Sequence, residues 1–170
     1  MFQVFRMDGV NQGEGIVMET ALNRVREFHR RIGAPVADCA ELLACQRATA
    51  ETLAGEIRGV LDRCQSQLAA GDVLVSRLCL ALEELAEWVE AHAAGDLVAA
   101  ADAWGDRMYV LLGDAVAAGL PVERILDEVH RSNMTKAAGA STATGKGKKE
   151  AAFVPPDIGR ALDGESCGPN

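Results

Sequence analysis

The chain has 170 residues, 49% of them apolar, and a formal charge of −8. That length supports one domain with a substantial core and is short for two, while the acidic balance argues against general nucleic-acid binding, which needs a basic footprint. Aromatics make up only 4% of the chain and alanine is abundant, which favours closely packed helices over sheets.

Residues 1–17 carry Gly9, Gly13 and Gly15 without helical periodicity and read as a loosely ordered leader, with Met18 as an alternative start. From Glu19 to about Arg31 the spacing of Leu22, Val25 and Phe28 predicts a first amphipathic helix, stopped by Gly33 and Pro35. Helical spacing resumes over 37–70 through Leu42, Leu43, Leu53, Ile57, Leu61 and Leu68, and Gly55 leaves open whether this is one helix or two. Two further helices are predicted at about 72–93 and 96–118, with Asp96 as N-cap of the second and Gly119 as its stop. Pro121 starts a short helix that ends near Ser132 and Asn133. Residues 137–150 contain small residues and three lysines without apolar periodicity, and describe a mobile basic loop. Such a loop is either a solvated linker or a cover that closes over phosphates. Phe153 to Ile158 would anchor the tail back on the body, and the end frays from about Asp163.

The five cysteines, Cys39, Cys45, Cys64, Cys79 and Cys167, match neither a zinc site nor a disulfide framework. They are expected to be reduced, buried small residues in a cytoplasmic protein. No apolar run has the length of a membrane span, so no membrane partner is expected.

Charge is most one-sided between Arg77 and Arg107. No Lys or Arg intervenes, yet Glu83, Glu84, Glu87, Glu90, Asp96, Asp102 and Asp106 all fall there. Several lie three or four residues apart, and each such like-charge pair costs about 0.2–0.5 kcal/mol unless something neutralises it. The acids are interleaved with Leu80, Leu85, Trp88 and Val89, and a second acidic turn follows a link short enough to set two helices antiparallel. Carboxylates converging from facing helices would form the hard-oxygen environment that Mg²⁺ or Mn²⁺ prefers. The competing reading is a solvated acidic face.

The run Leu82-Glu83-Glu84-Leu85-Ala86-Glu87, followed by Asp102-Ala103-Trp104-Gly105-Asp106 and Tyr109-Val110, resembles the EExxE and ExxD signatures of the all-α nucleoside triphosphate pyrophosphohydrolases, the MazG-like and phosphoribosyl-ATP pyrophosphohydrolase-like group. The resemblance extends through Gly119-Leu120-Pro121 and Val129 to Lys136. It also takes in Phe28-His29, Gly33 to Val36 and Pro155-Pro156-Asp157-Ile158. It implies an all-α antiparallel helical bundle, dimeric, with a catalytic domain over 18–136 and a basic loop and tail over 137–170 that packs on it. It further implies Mg²⁺-dependent cleavage of a nucleoside triphosphate between the α and β phosphorus, as in nucleotide-pool house-cleaning.

Carried over by position, Glu84, Glu87 and Asp102 would ligate the metal, with Mn²⁺ as an alternative to Mg²⁺. Glu83 would be a further ligand or the base that orients water. Asn133 and Lys136 would contact nucleotide, with Lys146 of the basic loop over the phosphates. Tyr109 is a further substrate candidate, although a tyrosine there serves a core equally well. The sequence departs from the pattern at Ala99, which stands where the resemblance expects an acid three residues before Asp102. Asp106, one turn on, joins the expected metal set, although relatives can carry an acid there too. The departure raises an alternative: a non-catalytic nucleotide-binding or helical interaction module.

Overall fold

The structure is a computed structural model that describes residues 12–139, 141–142 and 144–163 of the chain, with side chains from Met18 onward. Its described residues form six helices and no strand, so the architecture is all-α. Two compact units divide the chain: one is Ala37–Leu120, and the other combines Met1–Val36 with Pro121–Asn170. The boundary expected at residue 136 therefore falls inside the second unit.

The first unit holds α2 (Arg47–Gln67), α3 (Val73–Ala94) and α4 (Leu97–Ala118). Helix α3 is the central element and packs against both α2 and α4. The α3–α4 corner is as short as the sequence implies. Gly95, at φ 77°, ends α3 with its N–H directed at the His92 carbonyl, and the Asp96 N–H returns to the Ala91 carbonyl at 3.0 Å. The Asp96 carboxylate then accepts from the Val98 and Ala99 N–H groups, both at 3.0 Å, and opens α4. Chain reversal in two residues sets the acidic faces of α3 and α4 side by side.

Alanine allows that approach. Ala86, Ala91, Ala100 and Ala103 are buried in these helices, and no large side chain of the described residues is fully buried. Arg77 of α3 ties the far end of the pair: its Nε donates to Asp114 at 2.6 Å and its terminal nitrogen to the Val110 carbonyl. Gly113 makes room for it, since a Cβ there would lie 2.5 Å from the guanidinium. Replacing Arg77 by Ala leaves Asp114 unpaired and removes a charge-assisted contact that is only partly exposed, and should cost about 1–2 kcal/mol. A chemical-denaturation midpoint lowered without a change in slope would report it.

The segment expected to open a helix at residue 37 is irregular up to Gln46, and α2 is a single helix that runs through Gly55. Leu43 contributes to the misleading apolar spacing: it lines an open cleft beside Trp88 of α3 from outside a helix.

The second unit holds α1 (Gln12–Ile32), α5 (Val122–Asn133) and the short α6 (Ile158–Leu162). Helix α1 begins before the expected Glu19, and residues 1–11 of the expected leader lie outside the described residues, as do 164–170 with Cys167. The basic loop is tethered by backbone hydrogen bonds. Gly139 N–H donates to the Arg31 carbonyl at 2.7 Å, Ala137 N–H to Lys148 at 3.0 Å and Thr142 N–H to Lys146 at 2.7 Å. Gly147 is buried against Phe28, Ile32 and Lys136 in a space that a Cβ would overfill.

The tail is anchored as its Pro-Pro-Asp-Ile run suggests, and the anchor is Glu128. This buried carboxylate takes a two-pronged contact from Arg131, at 2.9 and 2.6 Å, and the Asp157 N–H at 2.6 Å. The Arg131 contact, reinforced by the Asp157 N–H, holds its pKa down at about 2. Ser132 and Thr135 add hydrogen bonds to Val154.

Candidate functional site

Helix α3 presents Glu83, Glu84, Glu87 and Glu90, and α4 presents Asp102 and Asp106. Within this set Glu84 has the most unfavourable environment. It is half-buried, and its Oε2 is the one buried side-chain oxygen or nitrogen among the described residues without a hydrogen-bond partner. Burial raises its pKa, and the negative charges of Glu87, Asp106, Glu83 and Asp102 raise it further. The carboxylates singled out from the sequence thus share one electrostatic environment centred on Glu84. Asp102 and Asp106 are exposed and Glu87 is half-exposed, so solvent reaches the rim while one oxygen of Glu84 stays dry.

Partial neutralisation comes from a residue that sequence reasoning passed over. Arg58 of α2 lays its guanidinium along Glu90, with Nε to Oε1 at 2.9 Å and a terminal nitrogen to Oε2 at 2.8 Å, and reaches Glu87 at 3.8 Å. Glu90 is correspondingly shifted to lower pKa by this contact. Arg58 thus settles the charge of Glu90 and leaves Glu84 uncompensated. Nothing in the spacing of α2 marks Arg58. Only the pairing of α2 with α3 places it.

A second unforeseen feature lies between α2, α3 and the segment before α2. A cleft of about 340 Å³ is lined by Leu43, Gln46, Thr49, Leu53, Trp88 and His92 among others. The Trp88 ring has the Arg107 guanidinium 4.5 Å from its centroid and meets the His92 ring edge-on at 4.6 Å. Trp88 follows Glu87 on α3 and Arg107 follows Asp106 on α4, and none of the acids lines the cleft itself.

Among the described residues no group of three His, Cys, Asp or Glu side chains is already drawn together to hold an ion. The donor chemistry nevertheless fits a hard divalent cation: a dry carboxylate oxygen without a donor, in the field of four more carboxylates, is a group such an ion would satisfy. Glu84, Glu87, Asp102 and Asp106 are the residues that would hold it.

The other candidates divide between the two units. Tyr109 lies on α4 and is 81% exposed, so it is no core residue of this chain. Asn133, Lys136 and Lys146 belong to the second unit. Asn133 ends α5, and the Lys136 carbonyl accepts two bonds from Arg31 while its ammonium sits 5.2 Å over the Phe28 ring. Lys146 is exposed, with its backbone bonded to Thr142.

A search of curated proteins finds no match to the chain. A family model does match: residues 63–133, which span the end of α2 and all of α3, α4 and α5, fit the model described as phosphoribosyl-ATP pyrophosphohydrolase. The segment that carries the acidic cluster is therefore similar to the phosphoribosyl-ATP pyrophosphohydrolase family, a member of the all-α nucleoside triphosphate pyrophosphohydrolase superfamily.

Proposed function

We propose that the chain is a divalent-metal-dependent pyrophosphohydrolase that converts a nucleoside or deoxynucleoside triphosphate and water to the monophosphate and pyrophosphate, in a nucleotide-pool house-cleaning role. The family match supports a pyrophosphohydrolase-type activity in general, and one observation supports the finer reading: the orphaned Glu84 oxygen, which also feels the negative charges of four other carboxylates. Bound Mg²⁺, or Mn²⁺ in its place, would neutralise the phosphate oxygens and acidify the attacking water. Glu84, Glu87, Asp102 and Asp106 would hold it. Glu83 would orient the water and take its proton, or complete the ligand set. The cleft beside Trp88 would receive the base. Asn133, Lys136, Lys146 and Tyr109 keep the substrate-contacting roles that the family resemblance gives them.

Large apolar side chains stay uncovered on α3 and α4, among them Leu74, Val98 and Val116, each about 80% exposed. A homodimer is the partner we assign to cover them. Among the described residues no helix is long and apolar enough to cross a membrane, and we place the protein in the cytoplasm on its free cysteines, of which Cys79 is buried as expected, Cys64 is half-buried, and Cys39 and Cys45 are exposed instead.

The test is release of pyrophosphate from a panel of common and damaged (d)NTPs, with Mg²⁺ and with chelator. Metal-dependent release from one class is expected, and none from any of them removes the proposal. Ala99 favours a second reading, a nucleotide-binding module without turnover. That reading predicts a melting temperature raised by nucleotide together with no product.

A further inference from the structure

The second unit contains a cluster that the proposed reaction does not use. Helices α5 and α6 flank an open cleft of about 390 Å³ lined by Arg124, Asp127, Glu128, Arg131, Arg160 and Ala161. This is far more than the roughly 30 Å³ share of one water molecule. The carboxylates in and around it have partners inside the protein. Asp127 pairs with Arg24 of α1. Glu128 is buried, and both its oxygens are engaged by Arg131 and the Asp157 N–H. Asp157 caps α6 by accepting the Arg160 N–H at 3.0 Å.

The cations are less fully used. Arg124 has no hydrogen bond or ion pair with any described residue. Arg160 is 76% exposed and reaches Glu128 only at 3.7 Å. Arg131 is committed to Glu128 and to the Pro155 carbonyl. Four guanidinium groups therefore stand against three carboxylates in a chain whose overall charge is −8, and the two with donors to spare line one cleft. Each offers a planar set of donors suited to tetrahedral oxyanions.

We propose that this cleft binds a phosphate-type oxyanion through Arg124 and Arg160, with the Glu128–Arg131 pair as the rigid floor that holds the two arms in place. Every residue in the site lies in the unit formed by α1, α5 and α6, so the site shares no residue with the acidic cluster. It does not depend on the pyrophosphohydrolase reading.

The experiment titrates the full chain with inorganic phosphate and with pyrophosphate by calorimetry and ³¹P NMR. Chelator is present throughout, so that no metal can carry an anion to the acidic helices. A nucleoside monophosphate forms a third arm, separating free anions from phosphomonoesters. Saturable binding of at least one anion is expected. Charge-assisted hydrogen bonds are strong enough that Arg124→Ala with Arg160→Ala should weaken it about 100-fold. Arg124→Lys with Arg160→Lys, which keeps the charge and loses the fork, should weaken it about tenfold. Arg47→Ala with Arg63→Ala, two exposed cations of α2 outside the site, should leave it unchanged. No binding of any of the three overturns the proposal. So does undiminished binding by the Arg124 and Arg160 variants, or an equal loss when Arg47 and Arg63 are replaced, which would mark general attraction to basic surface. Should the alanine variant of Arg124 and Arg160 fail to fold, wild-type affinity in the arginine-to-lysine protein overturns it alone.

Discussion

Glu84→Gln should stabilise the metal-free protein and sharply reduce its activity. The stabilisation follows from the cost of a half-buried carboxylate with one dry, unpartnered oxygen among four other acids. An amide of the same shape removes the charge and adds a donor. Relief on the order of 1 kcal/mol, a rise of a few degrees in melting temperature, is the expected scale for such a group. Its pH dependence has a definite sign. A carboxyl whose folded pKa is raised favours folding only below its unfolded value of about 4.3, and loses that contribution as pH rises through the folded value. The advantage of the Gln variant should therefore be largest near neutrality and shrink as pH falls toward that value. Glu128 runs the other way: its pKa is lowered to about 2, so its contribution is complete above about pH 4.3 and disappears only as pH falls toward 2.

Added Mg²⁺ should invert the order of the two proteins. A ligand that binds only the folded state stabilises it by about 2.7 kcal/mol at 100 times its dissociation constant, and the variant has lost the oxygen that makes the site. Pyrophosphate release should fall about 10³-fold, the scale of several kcal/mol of lost metal assistance. Equal melting temperatures in chelator and equal responses to Mg²⁺ would show instead that Glu84 is an ordinary face residue.

The acidic cluster was legible because its signal is local. Helical spacing places Glu83, Glu84 and Glu87 on α3 and Asp102 and Asp106 on α4, and a Gly-Asp link admits only a tight reversal. The caps followed for the same reason, since Asp96 and Gly119 act within a few residues of their own positions. What pairing decides was not legible. Arg58 meets Glu90 from 32 positions away, and no pattern within α2 separates it from any other surface arginine. The cleft at Trp88 depends on an irregular segment whose Leu42 and Leu43 mimic helical spacing.

Glu128 shows the limit from the other side. Its sequence context, a polar turn of an amphipathic helix, describes a surface acid. Burial comes from the returning tail, which brings the Asp157 N–H and, through Arg131, the Pro155 carbonyl to the same place. The tethering of the loop at 137–150 was hidden for a related reason. Its composition is that of a linker, but backbone hydrogen bonds to Arg31 and within the loop need no particular side chains, so composition does not report them.

Ala99→Glu is the substitution expected to raise activity most. Ala99 is exposed at the third position of α4, where its N–H donates to the Asp96 cap at 3.0 Å. Glutamate is well suited to that position, close to the positive end of the helix dipole and three residues after an acidic cap. Its like-charge contact with Asp102, about 0.2–0.5 kcal/mol, should roughly offset that gain, so the metal-free melting temperature should hardly move. With Mg²⁺ the difference should emerge: a fifth carboxylate beside Glu84, Glu87, Asp102 and Asp106 should tighten metal binding and raise turnover about 10- to 100-fold, the reverse of the usual loss when the support of a metal ligand is removed. Ala101→Glu, exposed on the same helix but two residues away and so pointing elsewhere, adds the same charge and should do neither. The comparison separates a ligand from a field. If the carboxylate introduced by Ala99→Glu acted only as part of the helix cap, a slightly raised melting temperature would accompany unchanged metal affinity, and Ala99 would then not be what limits this chain. If affinity rises while turnover stays at zero, the acidic helices bind metal but the chain lacks another part of the chemistry, and the nucleotide-binding module becomes the better description.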